Sequence, residues 1–198
     1  MEHGTMECIH MRTVFFTGHG DKGKTGFGAK KLKKTDILFA ALGAIDRLNV
    51  MVGWCASEAK KEGRKTKEIE DSLIAFQEML FIMQAELAAY GFRVKGKYHV
   101  GEEMTEKLET VIRRADKRLP PLTKFVLPGG SELASRLELA RVSARDAERS
   151  VLGFVEGKKA NAEWARFLNR SSSFFFALAR LVNAILKEKE RHPSYGRK

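Results

Sequence analysis

From about residue 36 onward one pattern repeats. Apolar residues return every three or four positions over stretches far longer than a strand, and glycine or proline falls between the stretches. Such a pattern admits helices and little else. The first stretch, 36–60, places Leu38, Leu42, Ile45, Leu48, Asn49 and Val52 on one face. A second, 67–90, runs into Gly91, placed as the left-handed residue just past a helix end. A third, 104–118, is stopped by Pro120 and Pro121. The linker 123–130 holds Pro128, Gly129 and Gly130, which cannot continue a helix. Ser131 is a good N-cap for a fourth helix reaching about Gly157, and a fifth runs from about Ala160 to Arg191. Long helices with short connections describe an all-α, antiparallel five-helix bundle. Only residues 12–17 cluster like a strand, and one strand makes no sheet.

A length of 198 residues suits one domain with a real core. The expected division is a flexible start over 1–13, a bundle domain over 14–190, and a basic disordered tail over 191–198 that contains Pro193 and Gly196. Residues 37–45, the longest strongly apolar run, cover about half of the roughly 20 residues a membrane span needs. The first residues lack the apolar core of a secretory signal, so a cytoplasmic location is expected. Cys8 and Cys55 offer neither a disulfide framework nor metal-ligand spacing, and no protein-held metal is expected. The net charge of +11 calls for an anionic partner, either a polyanion or a phosphorylated small molecule. Much of the excess lies in Lys30, Lys31, Lys33 and Lys34 and in the tail.

The loop Thr17-Gly18-His19-Gly20-Asp21-Lys22-Gly23-Lys24-Thr25 satisfies two phosphate patterns at once, GxxxxGK[ST] and GxGxxG. Each needs a strand before it, a helix after it and a parallel sheet beneath. Residues 14–16 could supply the strand. Gly26 and Gly28 follow immediately where the helix should begin, and no βαβ unit follows anywhere. What remains is a glycine- and lysine-rich loop suited to holding phosphates by another geometry.

Arg141, Arg145, Glu148 and Arg149 stand at i, i+4, i+7 and i+8 and share one helix face, beside an apolar stripe of Leu137, Ala140, Ala144, Ala147 and Val151. Planar guanidinium groups suit phosphate oxygens, although a charged row can also be a solvated face. Asp46, in a helix otherwise poor in carboxylates, reads as a lone buried acid that needs a cation. Asn169 in mid-helix calls for a partner, because its side chain otherwise competes with the helix backbone. Phe174, Phe175 and Phe176 read as core. Phe125, one apolar residue ahead of a Pro-Gly-Gly turn, is ambiguous on its own.

Five blocks, in order, resemble the PduO-type ATP:cob(I)alamin adenosyltransferases. Thr17, Gly20, Asp21, Gly23 and Thr25 fall in step with that family's Thr-x-Thr-Gly-Asp-x-Gly-x-Thr. Gly43-Ala44-Ile45-Asp46-Arg47-Leu48-Asn49 is similar to its Gly-x-Val-Asp-Glu-Leu-Asn. Phe125-Val126-Leu127-Pro128-Gly129-Gly130-Ser131 resembles Phe-Ile-Leu-Pro-Gly-Gly-Ser. Residues 140–149 keep the spacing of Ala-Arg-x-x-x-Arg-Arg-Ala-Glu-Arg, and 168–172 resemble Leu-Asn-Arg-Leu-Ser.

The resemblance implies a ferritin-like bundle, assembled as a homotrimer with ATP and a corrinoid at each subunit interface. Thr17, Gly18, His19, Gly20, Thr25, Gly26 and Lys34 would line ATP, with Mg2+ on its triphosphate; Lys33 could stand in for Lys34. Arg145, Glu148, Arg149 and Asn169 would complete that site. Asp46 and Arg141 would pair across the interface, and Phe125 would lie under the corrin ring of cobalamin. A reductase and a B12-dependent acceptor enzyme are possible partners. Departures fall at Arg47, where the family has Glu, and at Asp146, where it has the second Arg of a pair. Residues 38–43 replace a more polar approach to Gly43, and Ser173 replaces an Asp. A non-catalytic ATP- or corrinoid-binding bundle stays open beside the enzyme. So does a basic helical protein that binds nucleic acid, on charge alone.

Overall fold

The apolar residues that recur at helical spacing form the interior of a bundle. In the computed structural model, which describes residues 18–27 and 30–196, Leu38, Ile45, Leu48 and Val52 of the first helix have no exposed surface. Five α-helices are present among the described residues: α1 Ile37–Lys61, α2 Lys67–Phe92, α3 Glu102–Asp116, α4 Glu132–Val155 and α5 Glu163–Leu186. The carboxylate of Asp36 caps α1 by accepting from the Leu38 N–H at 2.9 Å, and the Ser131 hydroxyl caps α4 by accepting from Ala134 N–H at 3.2 Å. A 3-10 turn, Gly63–Thr66, joins α1 to α2; the buried Thr66 hydroxyl donates to the Ala59 carbonyl at 2.6 Å. α1 packs on α2 and α4, α5 packs on α4, and α3 lies on α5. At the centre Phe76 of α2 stacks on Phe167 and Phe174 of α5 at 5.5 and 5.3 Å and meets Phe175 edge-on. Phe174 and Phe175 are core as expected, whereas Phe176 is only half-buried.

Two helix ends differ from expectation. α2 does not stop before Gly91; it runs through it to Phe92, and Arg93 takes the left-handed conformation at φ 53°. Gly91 serves a close helix contact instead, since a Cβ there would lie 2.5 Å from both Leu38 methyl groups. α5 ends at Leu186, with Lys187 left-handed at φ 62°, and does not continue to Arg191. α1 and the segment Gly63–Phe92 are long and apolar enough to cross a membrane by composition, but they supply the bundle core.

The chain divides into two compact units, Met1–Thr35 and Asp36–Lys198. The described part of the first holds an unexpected hairpin, β1 Lys24–Phe27 and β2 Lys30–Lys33, antiparallel, with Thr25 opposite Leu32 and Gly26 opposite Lys31. Its composition hid it: four lysines in eight strand residues leave no alternation of apolar and polar groups to read. The strand expected over 12–17 lies outside the described residues.

Candidate functional site

Residues 18–23 form two successive turns, in which Asp21 N–H donates to the Gly18 carbonyl and Gly23 N–H to the Gly20 carbonyl, both at 3.2 Å. Gly18 and Gly23 sit at φ 69° and 73°, which other residues adopt only with strain. Lys34 N–H donates to the Gly23 carbonyl at 2.9 Å, and its ammonium reaches back over Gly20, where a Cβ would stand 2.9 Å from Nζ. Lys33 pairs instead with Lys24 across the hairpin. Of the two lysines the sequence left open, Lys34 is the one folded onto the loop. Thr25 and Gly26 fall on β1, and a Cβ at Gly26 would meet the Lys30 carbonyl at 2.7 Å. A hairpin follows the loop where both nucleotide patterns require a helix, so neither pattern is in use. His19 is exposed; Thr17 lies outside the described residues.

In the bundle, α4 and α5 bring a second set together. The stripe Leu137, Ala140, Ala144, Ala147 and Val151 is buried, which aims the polar row away from the core. Asn169 Nδ2 donates to Glu148 Oε1 at 3.0 Å, so the mid-helix asparagine has the partner its position demanded. Arg141 Nε donates to Glu138 Oε2 at 2.5 Å, and Arg149 is hydrogen-bonded to Asp146. Arg145 is exposed and forms no ion pair among the described residues. The substitution at Asp146 therefore acts locally: the carboxylate occupies a guanidinium that the row would otherwise present. Both pairs are intrahelical at i,i+3 and worth only a few tenths of a kcal/mol, so an incoming polyanion can displace them.

Asp46 corrects an expectation. It is exposed on α1, not buried, and within one chain Arg141 is held by Glu138. Nearby, the polar residue that does enter the core is Asn49, whose Oδ1 accepts from Gln77 Nε2 at 3.0 Å. Burial pushes the Cys55 thiol of α1 up to about 12, outweighing the opposing influence of Arg136. That thiol is chemically quiet.

Phe125 is 78% exposed, an unusual setting for so large an apolar ring. Its carbonyl accepts from His192 Nδ1–H at 2.8 Å, and Leu127 N–H donates to the Arg191 carbonyl at 2.8 Å. The start of the tail expected to be loose is thus bonded to the Phe125 loop. A cavity of about 590 Å3 opens there between Lys124, Phe125, His192, Pro193, Ser194 and Tyr195. Two buried polar residues of α5 that sequence reasoning passed over, Arg180 and Asn183, reach the two ends of this loop. The signal that singled out Asn169, an amide set in an apolar helix, was also present at Asn183. Among the described residues no group of three or more His, Cys, Asp or Glu side chains could hold a metal.

The Cobalamin adenosyltransferase family matches residues 15–182. A corrinoid adenosyltransferase of Bacillus subtilis is 36% identical over 169 residues, covering 85% of this chain and 86% of that protein. The human corrinoid adenosyltransferase MMAB is 31% identical over 192 residues, covering 91% and 72%. Among solved structures, a variant of the PduO-type ATP:corrinoid adenosyltransferase from Lactobacillus reuteri, complexed with cobalamin and ATP, superposes with a TM-score of 0.82. It is 33% identical and covers 91% of this chain and 99% of that one.

Proposed function

The chain belongs to the cobalamin adenosyltransferase family, and on that premise we propose that it transfers the 5′-deoxyadenosyl group of ATP to the cobalt of a reduced corrinoid. The observation that carries this most directly is the Glu148–Asn169 bond, which joins two family blocks on different helices into one polar face beside Arg145 and Arg149. The ligand-bound relatives from Lactobacillus reuteri support ATP and cobalamin as the small-molecule pair.

The cobalt(I) electron pair attacks C5′, the C5′–O bond breaks, and triphosphate leaves with the bonding electrons. No side chain need act as a base. The residues instead hold cobalt and C5′ in line and stabilise the charge that grows on triphosphate. Gly18, His19, Gly20, Thr25, Gly26 and Lys34, with Thr17, form one wall of the ATP site; Arg145, Glu148, Arg149 and Asn169 of a neighbouring subunit form the other. Triphosphate releases Arg149 from Asp146 and takes its guanidinium. Magnesium bound to the triphosphate would add to the charge that Lys34, Arg145 and Arg149 set against the leaving group. Asp46 meets Arg141 of the adjacent subunit after Arg141 leaves Glu138, and the exposure of Asp46 is consistent with such a role. Phe125 lies against the lower face of the corrin and excludes water there, which favours loss of the lower axial ligand and eases reduction to cobalt(I).

A homotrimer supplies these interfaces, and exposed Val50 and Leu139 on the mutually packed α1 and α4 support an assembly through that region. A cytoplasmic location fits a free cysteine at Cys55. A reductase that supplies cobalt(I) and an acceptor enzyme for the product complete the expected partners.

One observation favours a non-catalytic variant of the same bundle: Asp146 and Glu138 already occupy two of the three arginines. Mixing protein, ATP, magnesium and chemically reduced cobalamin decides between them. The light-sensitive spectrum of the cobalt–carbon product appears if the chain is the enzyme. Binding of ATP and corrinoid with no such spectrum would leave only the non-catalytic role.

A further inference from the structure

We propose that Asn183 and Arg180, on the last turns of α5, are positioning residues that clamp the loop carrying Phe125 at both of its ends. Both residues are only 7% exposed. An amide or guanidinium is tolerated at that depth only if its polar atoms are bonded, so their partners indicate what they are for.

Every side-chain hydrogen bond of Asn183 goes to the Gly-Gly-Ser end of the loop. Its Oδ1 accepts from Ser131 N–H at 3.0 Å and from the Ser131 hydroxyl at 3.1 Å, and its Nδ2 donates to the Gly129 carbonyl at 2.9 Å. Gly130, at φ 103°, lies so close that a Cβ would stand 2.4 Å from Oδ1. The two glycines and the serine are therefore shaped around this one amide. The opposite end belongs to Arg180. Its Nη2 donates to the Pro120 carbonyl at 3.2 Å, and its Nε donates to Glu190 Oε1 at 2.6 Å. Glu190 leads directly into Arg191 and His192, which bond Leu127 N–H and the Phe125 carbonyl.

Between these anchors the Phe125 ring stands exposed, with little packing of its own to aim it. Only the backbone can set its direction, and α5, together with the segment 190–192 that Arg180 holds, sets the backbone. The same amide also fixes α4, because Ser131 is the residue that caps it. One buried group thus places both Phe125 and the start of the helix that bears the arginine row. The functional consequence rests on the adenosyltransferase reading; the clamp itself does not.

The test compares Asn183→Ala with Thr66→Ala, which removes a buried hydroxyl bond remote in the chain from the loop. Amide exchange of residues 125–131 is measured alongside turnover, the KM for ATP, and the spectrum of bound cobalt(II) corrinoid that reports loss of the lower ligand. Asn183→Ala is expected to speed exchange at Leu127 and Ser131 and to lower turnover about tenfold to a hundredfold while the KM for ATP moves less than about twofold. The lower-ligand-free spectrum should weaken in parallel. Thr66→Ala should lower Tm and leave all four readouts alone. Asn183→Asp keeps the acceptor and loses the donor to Gly129, so it should give a milder form of the same pattern if the alanine variant does not fold. Unchanged exchange over 125–131 in the Asn183 variants overturns the clamp, whether or not the protein transfers adenosyl groups. Faster exchange with wild-type turnover overturns the positioning role. Absence of transfer by the unmodified chain sinks the functional reading alone, and the exchange data then decide the clamp.

Discussion

Single side chains carry sharply different duties although their surroundings look alike. Phe125 and Phe174 have the same ring, yet one is exposed on a fastened loop and the other is stacked in the core. Phe125→Ala should therefore leave fold and ATP affinity intact and abolish most turnover; equal loss of both would indicate a folding role. Asp46→Asn should likewise cut activity far more than Tm, because Asp46 is exposed and contributes little to the isolated chain. Asp146→Asn releases Arg149 and is expected to tighten ATP binding by about twofold, in keeping with the small worth of an exposed pair, measured by titration with ATP and magnesium. Cys55 should resist alkylation in the folded protein and react on unfolding, read by mass spectrometry of its peptide. The sign for stability follows from its raised value: the contribution is whole below the free-thiol value of 9.0 and declines as pH climbs from there toward about 12.

At the scale of helices and loops, periodicity made α1 to α5 legible because each must bury one stripe, and the stripe is written at 3.6-residue spacing. The ends were harder. A glycine at the close of a helical pattern can be a left-handed stop or a point of close contact, and both leave the same letter in the sequence. Gly91 is the second kind, and the contact it makes with Leu38 is long-range information that no local window holds. Gly91→Ala should cost about 1–3 kcal/mol by overpacking, seen as a lower Tm, and Leu38→Ala should cost less in that variant than in the unmodified chain, the coupling read from a double-mutant cycle. The hairpin at 24–33 escaped notice for a different reason. Its strands are held by backbone bonds between lysine-rich segments, so side-chain pattern carries no trace of them. Asn183 was legible in principle, by the reasoning that found Asn169, but it lies outside the five blocks that drew attention.

For the whole molecule, the sequence motifs named residues without placing them. The bundle brings Glu148 to Asn169 and the tail to Phe125, while the glycine-lysine loop belongs to a separate compact unit. The function proposed above places the two walls of the ATP site in different subunits. Sedimentation should give a trimer of the 22.3 kDa chain, and Val50→Asp should reduce assembly and activity together. In the proposed enzyme the loop of one subunit and the α4 row of another close around one triphosphate. The most direct measurement of this is subunit complementation: Lys34→Ala and Arg145→Ala chains, each impaired alone, are unfolded, mixed in equal amounts and refolded together. If the two walls come from different subunits, about a quarter of the sites combine two intact halves, and that share of wild-type turnover should return. A refolded mixed trimer no more active than its parents would contradict the account.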